Sequence, residues 1–124
     1  MLETSDLVAF APTVDVSRAK AFYGGTLGLE LVHEDPSACV FDANGTALRV
    51  TPVHELTPQV FTILGWEVGS IDQTVRALTD RGVAFLFVSG LPQDELGIWQ
   101  TPGPARVAWF KDPDGNTLSV TQQG

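Results

Sequence analysis

The sequence predicts an α+β protein made of two tandem βαβββ modules, whose curved mixed sheets surround a concave pocket and carry their helices outside. Two observations support this class. One strand, one helix and a run of further strands occur in the same order twice within 124 residues. In each half, one segment has helical periodicity, and the remaining apolar runs have the length and alternation of strands. Curved sheets covered by helices on one side leave a concave face, where a ligand can bind.

The first module is expected over residues 5–53. It begins with the strand-like run DLVAFAPTV, and the helical segment DVSRAKAFYGG follows, with Asp15 as its N-cap and Gly24 and Gly25 at its end. Three further strands are predicted, LELVHED, ACVFDA and TALRVTPV. Turn residues at positions 36–37 and 44–45 separate them.

The second module is expected over residues 60–122, after a polar linker at residues 54–59, within a single domain of residues 1–124. Its first strand is FTILGWEV, and its helix SIDQTVRALTDRG has a capping box at Ser70 and Gln73 and a terminating Gly82. Further strands are predicted for VAFLFV, GIWQT, ARVAWFKD and NTLSVTQ. Residues 89–96 are predicted to form a loop at the pocket rim.

Composition limits the kinds of partner that we expect. Fifteen acidic residues against seven Lys and Arg give a net charge of −8, which repels phosphate backbones, so no nucleic acid partner is expected. No apolar run reaches the ~20 residues that cross a bilayer, and no signal peptide is evident, so we expect a cytoplasmic protein without membrane contact. The one cysteine, Cys39, is interpreted as a buried, inert thiol.

Two motifs resemble those of a known family. The stretch VSRAKAFYGGTLGLEL resembles the helix and following strand of the vicinal oxygen chelate superfamily, and AWFKDPDGNTLSVTQ resembles its closing hairpin. This superfamily includes glyoxalase I, extradiol dioxygenases, fosfomycin resistance enzymes and bleomycin resistance proteins. The hairpin turn also has its own physical logic, because Pro113 and Gly115 suit its backbone. We therefore interpret Asp112 and Asp114 as turn residues rather than catalytic ones.

The resemblance implies four positions at which metal-dependent members carry His, Gln or Glu ligands. Here these positions fall at Val8, Arg49, Ile63 and Ser119. Two are apolar, a guanidinium has no lone pair to donate, and a neutral hydroxyl is a weak ligand. The two histidines, His33 and His54, are interpreted as solvated residues of a strand edge and a linker, although each has an acidic neighbour in the sequence. No metal and no other cofactor are therefore expected.

Strand alternation selects the side chains that face the concave side. Arg49 is the central candidate, either paired with Glu67 or free to bind an anionic group. Trp66 has the opposite parity and is predicted to pack towards the helix, whereas Trp99 lies beside the rim loop. The complete set of predicted ligand-binding residues is Phe10, Arg49, Glu67, Trp99, Trp109 and Ser119.

Three functions remain open at this point. The resemblance to bleomycin resistance proteins implies a metal-free homodimer that binds a small organic molecule without chemistry. The alternatives are a metal-dependent lyase, isomerase or dioxygenase of the same superfamily, and a metal-free enzyme in which Glu67 acts as base while Arg49 polarises a carbonyl. We favour the binding protein; no catalytic residue is assigned, and metal-dependent activity is not expected.

Overall fold

The computed structural model describes residues 1–124 and divides them into two compact units, Met1–Thr57 and Pro58–Gly124. The first unit comprises β1 (Val8–Thr13), α1 (Val16–Lys20), β2 (Glu30–Asp35), β3 (Ala38–Ala43) and β4 (Thr46–Pro52). The second unit comprises β5 (Thr62–Glu67), α2 (Ile71–Asp80), β6 (Trp99–Gln100), β7 (Arg106–Lys111) and β8 (Thr117–Gln122). The predicted α+β class and the two βαβββ modules are confirmed.

Both units arrange their strands in the same way. The strand order is β1-β4-β3-β2 in the first sheet and β5-β8-β7-β6 in the second. In each sheet the first strand runs parallel to the last, while the other neighbours are antiparallel. The sheets are therefore mixed. The helix after the first strand returns the chain to the end of the sheet where that strand began, so the next strand runs in the same direction as the first.

The first helix starts as predicted but ends differently. The carboxylate of Asp15 accepts a hydrogen bond from Arg18 N at 3.1 Å and so caps α1. The chain then continues into a π-helical turn, Ala21–Thr26, which contains both glycines that were predicted to end the helix. A Cβ atom at Gly24 would lie 3.3 Å from the ring of Phe41, so this glycine allows the turn to approach the buried face of the first sheet.

The second helix is anchored at its start. Ser70 Oγ accepts a hydrogen bond from Gln73 N at 3.3 Å, which confirms the predicted cap. Arg106 donates at 3.0 Å to Asp72 Oδ2 and at 3.0 Å to Gln122 Oε1. These contacts link the first turn of α2 to β7 and β8, and the apolar face of α2 is buried at Ile71, Val75 and Leu78. Neither helix of the chain is long and apolar enough to cross a membrane.

The turn between β7 and β8 is built around one buried carboxylate. Asp112 Oδ1 accepts hydrogen bonds from Asp114 N and Asn116 N, both at 2.9 Å, and Oδ2 accepts one from Asn116 Nδ2 at 2.8 Å. Gly115 has a φ of +87°, which the turn requires. The interpretation of Asp112 as a turn residue is thus supported by every one of these contacts.

Two of the strands predicted for the second unit differ in the structure. Residues 83–88, predicted as a strand, form only an isolated bridge between Phe85 and Phe110, and the strand in GIWQT is reduced to Trp99–Gln100. The intervening chain instead passes along the edge of β7 as an irregular segment. We call residues 85–98 the strap. Its hydrogen bonds come both from short backbone turns and from the side chains of Gln93 and Asp94, and periodicity reveals neither.

Candidate functional site

One face of the second sheet carries three of the positions that strand alternation assigned to the concave side. Ser119 in β8 is in register with Gly65 on one side and with Trp109 on the other. Side chains directly opposite one another share a face, so these three positions lie on the same side of the sheet. The register shifts between Thr62 and Leu64, so Thr62 lies opposite Thr117 on this face, where strand alternation had placed Ile63.

A pocket of about 410 Å³ lies within the second unit. Its volume falls within the range of ~300–1,000 Å³ that small-molecule sites occupy. Two of the predicted ligand-binding residues, Trp99 and Trp109, line it together. The full lining is Val60, Phe61, Thr62, Leu86, Val88, Leu91, Trp99, Trp109 and Thr117.

The two indoles form a stacked pair. Their ring centroids lie 6.0 Å apart, and their planes are inclined by 27°. Trp99 is directly opposite Val107, so Trp109 is its diagonal neighbour across β6 and β7. Diagonal side chains on one face are within reach when both are aromatic. The pair presents an extended aromatic surface to the pocket.

Two chain segments form the walls beside this surface. The segment before β5 contributes Val60 and Phe61, which are 94% and 61% exposed. Thr117 Oγ1 donates a hydrogen bond at 3.1 Å to Gln59 O and so links this segment to β8. The strap contributes the other wall through Leu86, Val88 and Leu91. Apart from the indole N–H groups, the side-chain polar groups of the lining are the hydroxyls of Thr62 and Thr117.

The pocket has no ionisable side chain in its lining. General acid–base catalysis needs a proton donor or acceptor within hydrogen-bond reach of the reacting atoms, and threonine hydroxyls titrate far outside the useful range. An apolar, aromatic pocket of this kind is chemically suited to holding a flat molecule by stacking and burial.

The other predicted ligand-binding residues lie outside this pocket. Phe10, 59% exposed, is in register with the half-buried Arg49 on the first sheet. Glu67 is exposed near the end of β5, and Ser119, 7% exposed, is buried in the second sheet. Arg49 and Glu67 belong to different units, and their pairing stays a prediction.

The residues at the family's metal positions do not fit a divalent ion, because Val8, Ile63, Arg49 and Ser119 supply no carboxylate or imidazole. The chain brings together no group of three or more His, Cys, Asp and Glu side chains. His33 Nε2 instead lies 2.7 Å from Asp35 Oδ2 and lowers the pKa of that carboxyl. Cys39 is fully buried, and burial raises the pKa of its thiol, as expected for an inert residue.

Sequence reasoning missed most of the pocket's walls. Val60 and Phe61 follow directly after the predicted linker and precede β5, so strand alternation did not assign them to the pocket. The strap residues were assigned to a strand and a rim loop. One signal was present: an apolar run, FLFV, leads directly into a loop containing Gly90 and Pro92, which is typical of an apolar segment that does not continue as a strand.

Three solved structures illustrate the likeness of the whole chain to known proteins. A member of the glyoxalase/bleomycin resistance protein/dioxygenase superfamily from Sphaerobacter thermophilus DSM 20745 is 25% identical, with a TM-score of 0.77 and coverage of 98% of this chain and 99% of that one. An antibiotic binding protein from Streptomyces sp. CB03234 is 24% identical, with a TM-score of 0.77 and coverage of 100% and 99%. The genomically encoded fosfomycin resistance protein from Listeria monocytogenes is 14% identical, with a TM-score of 0.76 and coverage of 98% and 94%.

A search of curated protein sequences found no match. The family model of the Glyoxalase/Bleomycin resistance protein/Dioxygenase superfamily matches residues 7–120, which is nearly the whole chain. The resemblance inferred from the helix and hairpin motifs is therefore confirmed, and the chain belongs to the glyoxalase/bleomycin resistance protein/dioxygenase superfamily.

Proposed function

We propose that this chain is a metal-free binding protein that holds a planar aromatic small molecule, uncharged or cationic, against Trp99 and Trp109. The observation that carries this proposal is the stacked indole pair in a pocket whose lining has no ionisable side chain. Such a lining supports binding, and it offers no group that would transfer a proton during catalysis.

The charge of the ligand follows from two features. Indole faces carry negative electrostatic potential, so they attract cations and electron-poor rings. The net charge of −8 adds a long-range field that repels anions. An anionic ligand would also lose hydration in the pocket without finding a cationic side chain to pair with, which is unfavourable.

The comparisons are consistent with a binding function but establish neither the function nor a ligand. One structural relative is named as an antibiotic binding protein and another as a fosfomycin resistance protein. Identities of 24% and 14% establish the shared fold alone. The binding role of this chain therefore depends on its own pocket.

A set of probes with one ring system tests the proposal. Acridone is neutral, proflavine is cationic and acridine-9-carboxylate is anionic. We expect acridone and proflavine to quench tryptophan fluorescence with dissociation constants of about 10–100 µM, and the anion to bind at least tenfold more weakly. Weaker binding of both acridone and proflavine than of the anion would contradict the proposal.

The three tryptophans provide an internal control. Trp66 is opposite Val120 in the sheet, on the face that packs against α2, and lines no part of the pocket. Trp99→Ala and Trp109→Ala should each weaken acridone binding about tenfold or more, while Trp66→Phe should bind like the wild type. Equal binding by all three variants would place the ligand elsewhere.

The homodimer that the family resemblance implies is part of the proposal. Exposed apolar side chains at and before β1 of the first unit, Leu7, Val8 and Phe10, support an association surface. Light scattering at micromolar concentration measures the mass directly, and a mass near 13.3 kDa would exclude the dimer under those conditions.

A further inference from the structure

The strap forms one pocket wall although it contains no helix or regular strand. Its backbone meets the sheet at two places: Leu86 N donates to Trp109 O at 2.8 Å, and Gln93 forms a bridge with Trp99. Between these two points lie Val88 and Leu91, which line the pocket. An irregular segment of this length needs additional contacts to keep one conformation.

Backbone turns and the carboxylate of Asp94, which accepts from Leu96 N and Ile98 N, supply some of those contacts within residues 88–98, and the side chain of Gln93 supplies the ones that reach from Leu86 to Gly97. Its Oε1 accepts a hydrogen bond from Val88 N at 2.6 Å. Its Nε2 donates to Leu86 O and to Gly97 O, each at 2.8 Å. One carboxamide thus joins the start, the middle and the end of the strap.

Only an amide matches this set of partners. The two carbonyl acceptors require an NH₂ group, and the backbone N–H requires an oxygen, so the network fixes the orientation of the amide. An ionised carboxylate of the same length accepts from Val88 N but has no proton for the two carbonyls. A thioether of similar length makes none of the three bonds.

The bonded atoms are directly connected to the pocket. Leu86 and Val88, whose backbones Gln93 binds, also contribute side chains to the lining. Gly97 is two residues before Trp99 and has a φ of +90°. A Cβ atom at this position would lie only 3.2 Å from Phe85 Cβ. The Gln93 side chain therefore connects the strap wall to the segment that leads into Trp99.

We propose that Gln93 is the positioning residue of the pocket: its carboxamide sets the distance between the strap wall and the Trp99–Trp109 pair and so determines which flat ligands fit. This inference rests on the proposed binding function. Preorganisation of this kind raises affinity because the wall does not have to be ordered when the ligand binds.

A matched control lies at the end of β6, where Gln100 organises the loop that follows. Gln100 Nε2 donates to three carbonyl groups, Gly103 O at 2.8 Å, Ala105 O at 3.3 Å and Thr101 O at 3.4 Å. Gln100 is exposed and does not line the pocket. It thus shares the chemistry of Gln93 but organises a different loop.

The first test compares Gln93→Met with Gln100→Met. We expect Gln93→Met to weaken acridone binding about tenfold and to speed amide hydrogen exchange at Val88, because three hydrogen bonds are lost at once. Gln100→Met should change neither quantity. Unchanged exchange at Val88 in Gln93→Met would overturn the inference, with or without a bound ligand.

A second variant separates positioning from general stability. In Gln93→Glu the carboxylate should weaken acridone binding at pH 8, and binding should partly recover near pH 4, where the protonated acid can again donate to one carbonyl. The wild type and Gln100→Glu provide the reference pH profiles. If Gln93→Glu follows the same profile as Gln100→Glu, Gln93 does not position the wall.

The two proposals fail in different ways. If the wild type binds neither acridone nor proflavine while Val88 exchange still depends on Gln93, the proposed ligand class is wrong and the positioning role stands. If the wild type binds acridone and Gln93→Met binds it equally well, the ligand class stands and the positioning role is wrong.

Discussion

A Cβ atom at Gly65 would lie 2.9 Å from Ser119 Oγ, across the parallel strands β5 and β8. No other atom outside the neighbouring residues of Gly65 approaches this position closer than 3.8 Å. Ser119 is only 7% exposed, so its hydroxyl has little room to move. We expect Gly65→Ala to lower the free energy of unfolding by about 1–2 kcal/mol, measured by urea denaturation.

The same relationship provides the control. Ser119→Ala removes the one atom that a new methyl group would touch, so the double variant should be more stable than the sum of the two single effects indicates. A double-mutant cycle that is additive within ~0.3 kcal/mol would show that the hydroxyl is not the obstacle.

A second prediction distinguishes between two places for the ligand. Trp109 lines the pocket of the second unit, whereas Arg49 lies on the first sheet beside Phe10. If the pocket holds the ligand, Trp109→Ala weakens acridone binding about tenfold and Arg49→Ala leaves it within about twofold. The reverse result would place the site at Arg49, the central candidate of the sequence, and away from Trp109. Isothermal titration calorimetry on both variants measures the difference.

A third prediction concerns the turn that first pointed to the family. Asp112 is 5% exposed and accepts three hydrogen bonds, two of them from backbone N–H groups. Asp112→Ala leaves these donors without their acceptor, and we expect it to lower the free energy of unfolding by about 2–4 kcal/mol. Asp42, which accepts one bond from Gly45 N in an exposed turn, is the matched control. Asp42→Ala should cost less than about 1 kcal/mol.

A fourth prediction follows from the buried thiol. Burial raises the pKa of Cys39 above its ordinary value of 9.0 in the folded chain. Below pH 9 the thiol is protonated in both the folded and the unfolded chain. Above pH 9 the unfolded chain releases this proton while the folded chain keeps it, so stability falls as pH rises towards the folded pKa. Urea denaturation between pH 8 and pH 10 measures this slope.

Cys39→Ala isolates the contribution of the thiol. The variant loses packing at every pH, but its stability should fall less steeply than that of the wild type above pH 9. Parallel pH profiles for the two proteins would show that the thiol does not contribute to the slope.

The sequence indicated those parts of the fold that depend on local chemistry. The cap at Asp15, the face of α2 and the turn around Asp112 each depend on residues a few positions apart, so their patterns are readable. Strand alternation also placed Trp109 and Ser119 on one face, as the register shows.

The candidate site was only partly predictable because its walls depend on non-periodic contacts. The register shift after Thr62 changes which side chain of β5 meets β8, and no composition rule indicates where such a shift occurs. The Gln93 side chain makes three hydrogen bonds within the strap, one as acceptor and two as donor. Their partners lie at irregular sequence separations from Gln93. Gln93 itself appeared in the sequence as an ordinary loop residue.

All six residues of β2, Glu30–Asp35, are exposed, and β2 is the outer strand of the first sheet. Such an edge is a template on which a strand of another molecule can add, and repeated addition leads to polymerisation. Here the strand carries Glu30, Glu34 and Asp35, and its pairing with β3 is irregular between Leu31 and His33. The acidic side chains disfavour close pairing of two such edges, although Glu34 is paired with Lys20 and Asp35 with His33, and the irregular register does not match a straight ladder. The acidity and irregular register of β2 therefore act against strand addition at this edge, where the exposed side chains of Leu31 and Val32 would otherwise favour it.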